Sequence, residues 1–193
     1  MVSNSFVESV KFSMKEILIF IVMALPAFSI GQGKNITWQV FPLGSSPMTI
    51  CLPGKPRPME AELSQSLLQI LHSYYAYRYD DIRTGVVVML FHISYTEGIN
   101  ADMDRSAGQT ISELISCGAM NIKYTSDSIL IDRMRGLSLK GTFESNGITQ
   151  EFTTTVLAEG SKVWMVISYA KAGKRRGQKT LKSILNSITF KEK

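Results

Sequence analysis

The sequence predicts an α+β domain, with a mostly antiparallel sheet of about six strands and helices on both faces. Strand-like segments follow one another along the chain without alternating with helices, and this order argues against a parallel doubly wound sheet. Two amphipathic segments have helical periodicity, and turn sequences such as Asn146-Gly147 separate strand-like neighbours. With 45% hydrophobic and 19% charged residues, the 193-residue chain can bury a core, which excludes a disordered chain.

Residues 1–31 have the pattern of a secretion signal. Ile17–Phe28 contains no charged residue, Lys15 precedes it, and small residues follow it up to Gly31. A membrane-spanning helix needs about 20 apolar residues, so this shorter run suits the apolar core of a signal peptide. We expect cleavage after Gly31 and export to the periplasm or the extracellular space. The alternative is that Ile17–Gly31 is retained and anchors the protein in the membrane. A start at Met14 would also leave a complete signal peptide.

The mature chain is predicted to contain a leader, residues 32–47, and a single domain, residues 48–190. Met48–Leu52 predicts the first strand, and the prolines that follow it predict a turn or an extended loop. Met59–Leu71 is ambiguous, because its leucines have helical spacing but the segment leads directly into strand sequence. His72–Tyr79 and Thr84–Thr96 predict a hairpin whose two faces are both apolar, which indicates a sheet covered on both sides.

The second half of the domain predicts a helix, three strands and a last helix. Asp102–Cys117 is the first helix, with Asp102 or Asp104 as its N-cap and Gly118 at its end. The three strands are predicted over Ser128–Ser145 (with a candidate break at Gly136), Gln150–Ala158 and Lys162–Ala170. Gly177–Ile188 predicts the last helix, because its apolar residues lie on one face.

Met48–Pro56, with the sequence MTICLPGKP, and Ile184–Phe190 lie at the two ends of the predicted domain. The first is similar to the opening strand and F-P-G-x-P turn of exported PsbP-like domains, and the second is similar to their closing F-x-x-S-F segment. The resemblance covers residues 48–190. Leu52, Leu185 and Ile188 stand where the family has aromatic residues. The resemblance implies an α/β/α sandwich, shared with photosystem extrinsic proteins and a Ran-binding nuclear import factor. It implies no catalytic residues, since many members are small exported proteins without a known role.

Positive charge is concentrated near the end of the chain. Residues 171–193 contain eight Lys or Arg and one Glu, whereas residues 32–170 contain 11 basic and 13 acidic residues. This distribution predicts a docking surface for an envelope protein or an anionic surface polymer, and the alternative is a solvated helix face. The candidate binding residues are Lys174, Arg175, Arg176, Lys179 and Lys182. A nucleic-acid partner is not expected, because no aromatic residue is interleaved with these cations.

The sequence offers no catalytic constellation and no cofactor site. Gly173–Thr180 follows a predicted strand and opens a helix, but it has three residues between its glycines and Gln178 before its lysine, so it lacks the spacing of a phosphate-binding loop. Cys117 ends a helix rather than beginning one, so no helix dipole would stabilise its thiolate. We expect no catalytic residue and no cofactor, and we predict a non-catalytic binding module of the cell envelope.

Two residue pairs leave alternatives open. With a three-residue hairpin loop, His72 lies directly opposite His92, and the two imidazoles could bind a metal or centre an enzyme site. The simpler interpretation is two ordinary strand histidines, since no carboxylate is placed to complete a set of four ligands. Cys51 and Cys117 are predicted either to form a disulfide in an oxidising compartment or to remain two small buried side chains.

Overall fold

The computed structural model describes residues 37–60, 65–116 and 118–190. These residues form ten strands and three helices. In chain order the elements are β1 (Gln39–Pro42), β2 (Met48–Leu52), β3 (Arg57–Pro58), α1 (Gln65–Ile70), β4 (Leu71–Asp81), β5 (Val86–Tyr95), α2 (Met103–Ser116), β6 (Met120–Ile131), β7 (Met134–Ser145), β8 (Ile148–Glu159), β9 (Lys162–Lys171), α3 (Arg175–Leu185) and β10 (Thr189–Phe190). The predicted signal peptide lies outside the described residues. Among the helices that are described, none is long and apolar enough to cross a membrane.

The main sheet has seven strands in the order β3-β4-β5-β9-β8-β7-β6, and a small sheet has the order β1-β2-β10. Every strand pair in both sheets is antiparallel. The central strands β5 and β9 are buried along almost their whole length. Because successive side chains of a strand point to opposite faces, such strands require cover on both sides of the sheet.

Two apolar cores supply this cover. On one face, Leu90 and Trp164 pack in a cluster with β2 and with Leu181 of α3. On the opposite face, Phe91 and Met165 pack in a cluster with Ile111 of α2. We call these the α3 face and the α2 face of the main sheet. The predicted class is therefore confirmed: the protein is an α+β sandwich with an antiparallel sheet between helices.

The β4–β5 hairpin has a different register from the predicted one. Its loop contains four residues, from 82 to 85, and Tyr75 lies opposite His92. Asp81 shapes this loop, because its carboxylate accepts hydrogen bonds from the Arg83 backbone N–H (3.0 Å) and the Thr84 hydroxyl (2.8 Å). The predicted pairing of His72 with His92 is wrong, and His72 is exposed beside an irregularity in β4.

Other elements differ in extent from the predicted ones. Part of the predicted leader forms β1, which pairs with β2. The segment predicted as one strand, Ser128–Ser145, is shared by β6 and β7, and its turn lies at Asp132 rather than at Gly136. Gly136 lies within β7, where an added Cβ would collide with the Leu157 side chain. The expected cap of α2 is confirmed, since the Arg105 backbone N–H donates to the Asp102 carboxylate at 2.8 Å.

Candidate functional site

The five predicted binding residues lie together on α3 and on the residue before it. Lys174 immediately precedes the helix, and the other four cations, Arg175, Arg176, Lys179 and Lys182, lie within it. All five side chains are exposed. The helix buries a separate set of residues against the sheet and β2, namely Gly177, Leu181 and Ile184. The cations therefore form one solvent-facing surface, which we call the basic surface.

The position of this surface is fixed by close packing at the start of α3. A Cβ added to Gly177 would be 2.6 Å from the Thr84 carbonyl oxygen, so the first turn of the helix lies directly against the β4–β5 loop. The preceding loop is held to β8, because the Gly173 backbone N–H donates to the Glu151 carboxylate at 3.4 Å. The basic surface is consequently packed against the sheet.

The charges of the basic surface are not neutralised within the described part of the chain. The ion pairs found there include Arg57–Asp80, Arg78–Asp80 and Arg83–Asp81, and none of these pairs involves the five cations. The first turn of α3 contains no acidic residue, and Lys174 makes no side-chain capping hydrogen bond. Positive charge near a helix N-terminus opposes the helix dipole. The arrangement therefore does not stabilise α3, and it leaves positive charge available to an external anion.

Lys140 is a further exposed cation on the α3 face of the sheet, and charge clustering along the sequence does not reveal it. Lys140 in β7 lies opposite Thr153 in β8, which lies opposite Ser168 in β9, so the three side chains share the α3 face. Lys140 is exposed, and two strand spacings separate it from Ser168, a distance of about 10 Å. A turn recognised at Asp132 would have given the correct start of β7, and with it the face to which each side chain of β7 points.

The second predicted site residue, His92, belongs to an aromatic stack. Its ring lies between Tyr75 and Trp164, nearly parallel to both, with ring centroids separated by 5.8 Å and 5.4 Å. Neither ring nitrogen of His92 has a hydrogen-bond partner among the described residues, and the same is true of the Trp164 indole N–H. Burial, together with the positive charge of Lys162, lowers the pKa of His92 to about 4. At neutral pH the imidazole is therefore an uncharged component of the core.

The structure does not bring the predicted metal ligands together. His72 is exposed in β4, three positions along the strand from Tyr75, the residue that does face His92. In the ranges that the structure describes, no group of three His, Cys, Asp or Glu residues could hold a metal ion. A site shared by the two histidines depended on the predicted register of the β4–β5 hairpin, and that register was wrong.

Cys51 lies half-buried in β2 and forms no disulfide with another residue of the described ranges. Its backbone N–H donates to the Ser187 hydroxyl at 2.8 Å, which joins β2 to the residues after α3. Its predicted disulfide partner, Cys117, lies outside the described residues. The helix that precedes position 117 packs on the α2 face, whereas β2 packs on the α3 face. Disulfide formation stays a prediction.

Comparison with known proteins identifies the fold. No protein-family model and no curated protein matches the sequence. The cyanobacterial PsbP (CyanoP) of Synechocystis sp. PCC 6803 matches the structure with a TM-score of 0.53 at 8% identity, over 85% of this chain and 98% of that chain. LpqN of Mycobacterium tuberculosis, involved in cell envelope biogenesis, matches with a TM-score of 0.49 at 14% identity, over 82% and 93% of the two chains. The protein thus has a PsbP-like α+β fold.

Proposed function

We propose that the protein is an exported module of the cell envelope that binds an anionic envelope component through the basic surface. The observation that carries this proposal is the set of five exposed cations without an ion-pair partner in the described part of the chain. Export is proposed from the signal-like residues 1–31. The mature protein is then expected to begin at Gln32, which N-terminal sequencing of the exported product would test.

The distribution of charge favours binding at the basic surface over a nonspecific attraction that results from the net positive charge of the whole protein. Residues 32–170 carry 11 basic and 13 acidic residues, so the body of the domain is slightly acidic. The positive field is therefore concentrated on one end of the molecule, around α3. A localised field of this kind attracts an anionic polymer or an acidic protein patch in a fixed orientation, and salt weakens the attraction.

The alternative function, a metal-binding protein or an enzyme centred on His72 and His92, has lost its geometric support. His92 is buried between two aromatic rings, and His72 is exposed elsewhere on β4. A binding role needs no reacting group, and the exposed cations supply the attraction. We therefore retain binding as the proposed function.

The test compares two variants with the same change in net charge. The first replaces four cations of the basic surface, Lys174, Arg175, Arg176 and Lys179, by glutamine. The control replaces four exposed cations elsewhere, Lys55, Arg105, Arg135 and Lys162, by glutamine. We expect the first variant to lose association with isolated cell envelopes at low salt and the control to retain most of it. Equal binding by the first variant and the wild type would refute the proposal, and equal losses by both variants would show a net-charge effect.

A second arm identifies the kind of anion. Isolated envelopes are treated with protease before the binding assay, so that protein partners are removed and surface polymers remain. Retained binding by the wild type identifies an anionic polymer, and lost binding identifies an envelope protein. In both cases the contribution of the basic surface is measured by the same pair of variants.

A further inference from the structure

In the part of the chain that the structure describes, strand β6 has an unpaired edge at the end of the main sheet. It is twelve residues long, it is the terminal strand, and its only strand neighbour among the described residues is β7. Six consecutive residues, Lys123–Ser128, are exposed. The opposite edge of the sheet is β3, which has two residues and ends in Pro58. A long edge strand without proline offers a row of backbone donors and acceptors to another strand.

The side chains of β6 are complementary to those of a second copy of the same strand. In an antiparallel pairing with a twofold axis at Thr125, Lys123 lies opposite Asp127 of the partner subunit, and this pair occurs twice. Both residues point to the α3 face, because they lie opposite Thr142 and Ser138 of β7. Opposite charges directly across a strand pair are stabilising. Tyr124, 49% exposed on the other face, would lie across from a serine.

Neighbouring registers lack this complementarity. An axis at Lys123 places two ammonium groups opposite each other, and an axis at Asp127 places two carboxylates opposite each other, both of which are destabilising. An axis at Tyr124 or at Ser126 leaves no charged residue opposite another. We therefore propose that the protein forms a homodimer in which β6 pairs antiparallel with β6 of a second copy, centred on Thr125.

The dimer has a consequence for binding, and this consequence alone rests on the proposed function. A twofold axis perpendicular to the sheet leaves each face on its own side. The two basic surfaces would then lie on the same side of one continuous sheet. An extended polyanion could contact both, which raises apparent affinity through the second, intramolecular contact.

Sedimentation velocity over a range of protein concentrations gives the first test. We expect the purified wild type to shift from monomer to dimer as concentration rises. Asp127→Lys places like charges opposite each other twice, and we expect it to weaken the dimer by about tenfold or more. The double variant Lys123→Asp/Asp127→Lys restores two opposite-charge pairs and should recover dimerisation. A wild type that stays monomeric at the highest soluble concentration would overturn the proposal.

Cysteine cross-linking tests the register in a Cys51→Ala/Cys117→Ala background. Thr125→Cys brings two thiols face to face on the axis, and mild oxidation should give a covalent dimer. Ser128→Cys, also exposed on β6, is the matched control, because it faces residue 122 of the second copy. We expect cross-linking of the first variant only. Cross-linking of Ser128→Cys alone, or a dimer that is insensitive to the charge variants, would contradict this pairing. Circular dichroism confirms that each variant is folded.

Discussion

Replacing His92 by phenylalanine should remove a pH dependence of folding stability. The imidazole is 4% exposed and lies between Tyr75 and Trp164. Burial, with a contribution from Lys162, lowers its pKa from 6.5 to about 4. The unfolded chain therefore binds a proton on His92 at a pH where the folded chain does not. Stability from this group is fully present above pH 6.5 and is lost as the pH falls towards 4.

The shift in pKa sets the magnitude of this effect. A difference between 6.5 and about 4 corresponds to a loss of about 3 kcal/mol at pH values below both, at 1.36 kcal/mol per pH unit. At neutral pH the phenylalanine variant should be at least as stable as the wild type. Its ring preserves the stack, and it has none of the ring nitrogens that lack partners in the described structure. Its larger ring offsets part of that gain.

Urea unfolding of the wild type and of His92→Phe, measured from neutral pH down to about 4, tests the prediction. Because the two proteins differ only at residue 92, the difference between their stability curves isolates the contribution of His92. We expect the wild type to lose stability relative to the variant as the pH falls. His72→Gln, at an exposed histidine outside the aromatic stack, is the matched control variant. Parallel curves for the wild type and His92→Phe would refute the reasoning.

Three further changes follow from the same structure. Lys179→Gln should raise the free energy of unfolding by about 0.5–1 kcal/mol at low salt, because three other cations lie three or four residues away on α3. A lower melting temperature would contradict this. Gly44→Ala should cost about 2 kcal/mol or more in urea unfolding, since φ is +62° and the new Cβ would be 2.6 Å from the Tyr75 ring. Unchanged stability would show that the loop moves freely. Asp81→Ala should cost about 2 kcal/mol by the same assay, because it removes the acceptor of the Thr84 hydroxyl. A loss below the error of the measurement would contradict that role.

The class of the fold was predictable because it depends on hydrophobic periodicity. The cap at Asp102 and the stop at Gly118 defined α2 from local chemistry alone. The β4–β5 register was not predictable in the same way, because apolar residues on both faces fit more than one pairing. The loop determines the register. The Asp81 carboxylate accepts hydrogen bonds from Arg83 and Thr84 of the loop, and Gly85 has a φ of +68°.

The same difference between local and long-range information applies to the residues of the candidate site. The cations of α3 were found from sequence, because charge clustering and helical spacing are both local properties. Lys140 and the exposed edge of β6 were missed, because they depend on strand order and on which turn separates β6 from β7. Their positions follow from long-range pairing, which a single sequence encodes only weakly.

The salt dependence of envelope binding tests the central claim most directly. The affinity of the wild type for isolated envelopes is measured at increasing ionic strength, beside the variant in which Lys174, Arg175, Arg176 and Lys179 are glutamine. If the basic surface makes the contact, wild-type affinity falls steeply with salt, and the variant binds weakly with little salt dependence. Equal affinity and equal salt dependence of the two proteins would contradict the claim.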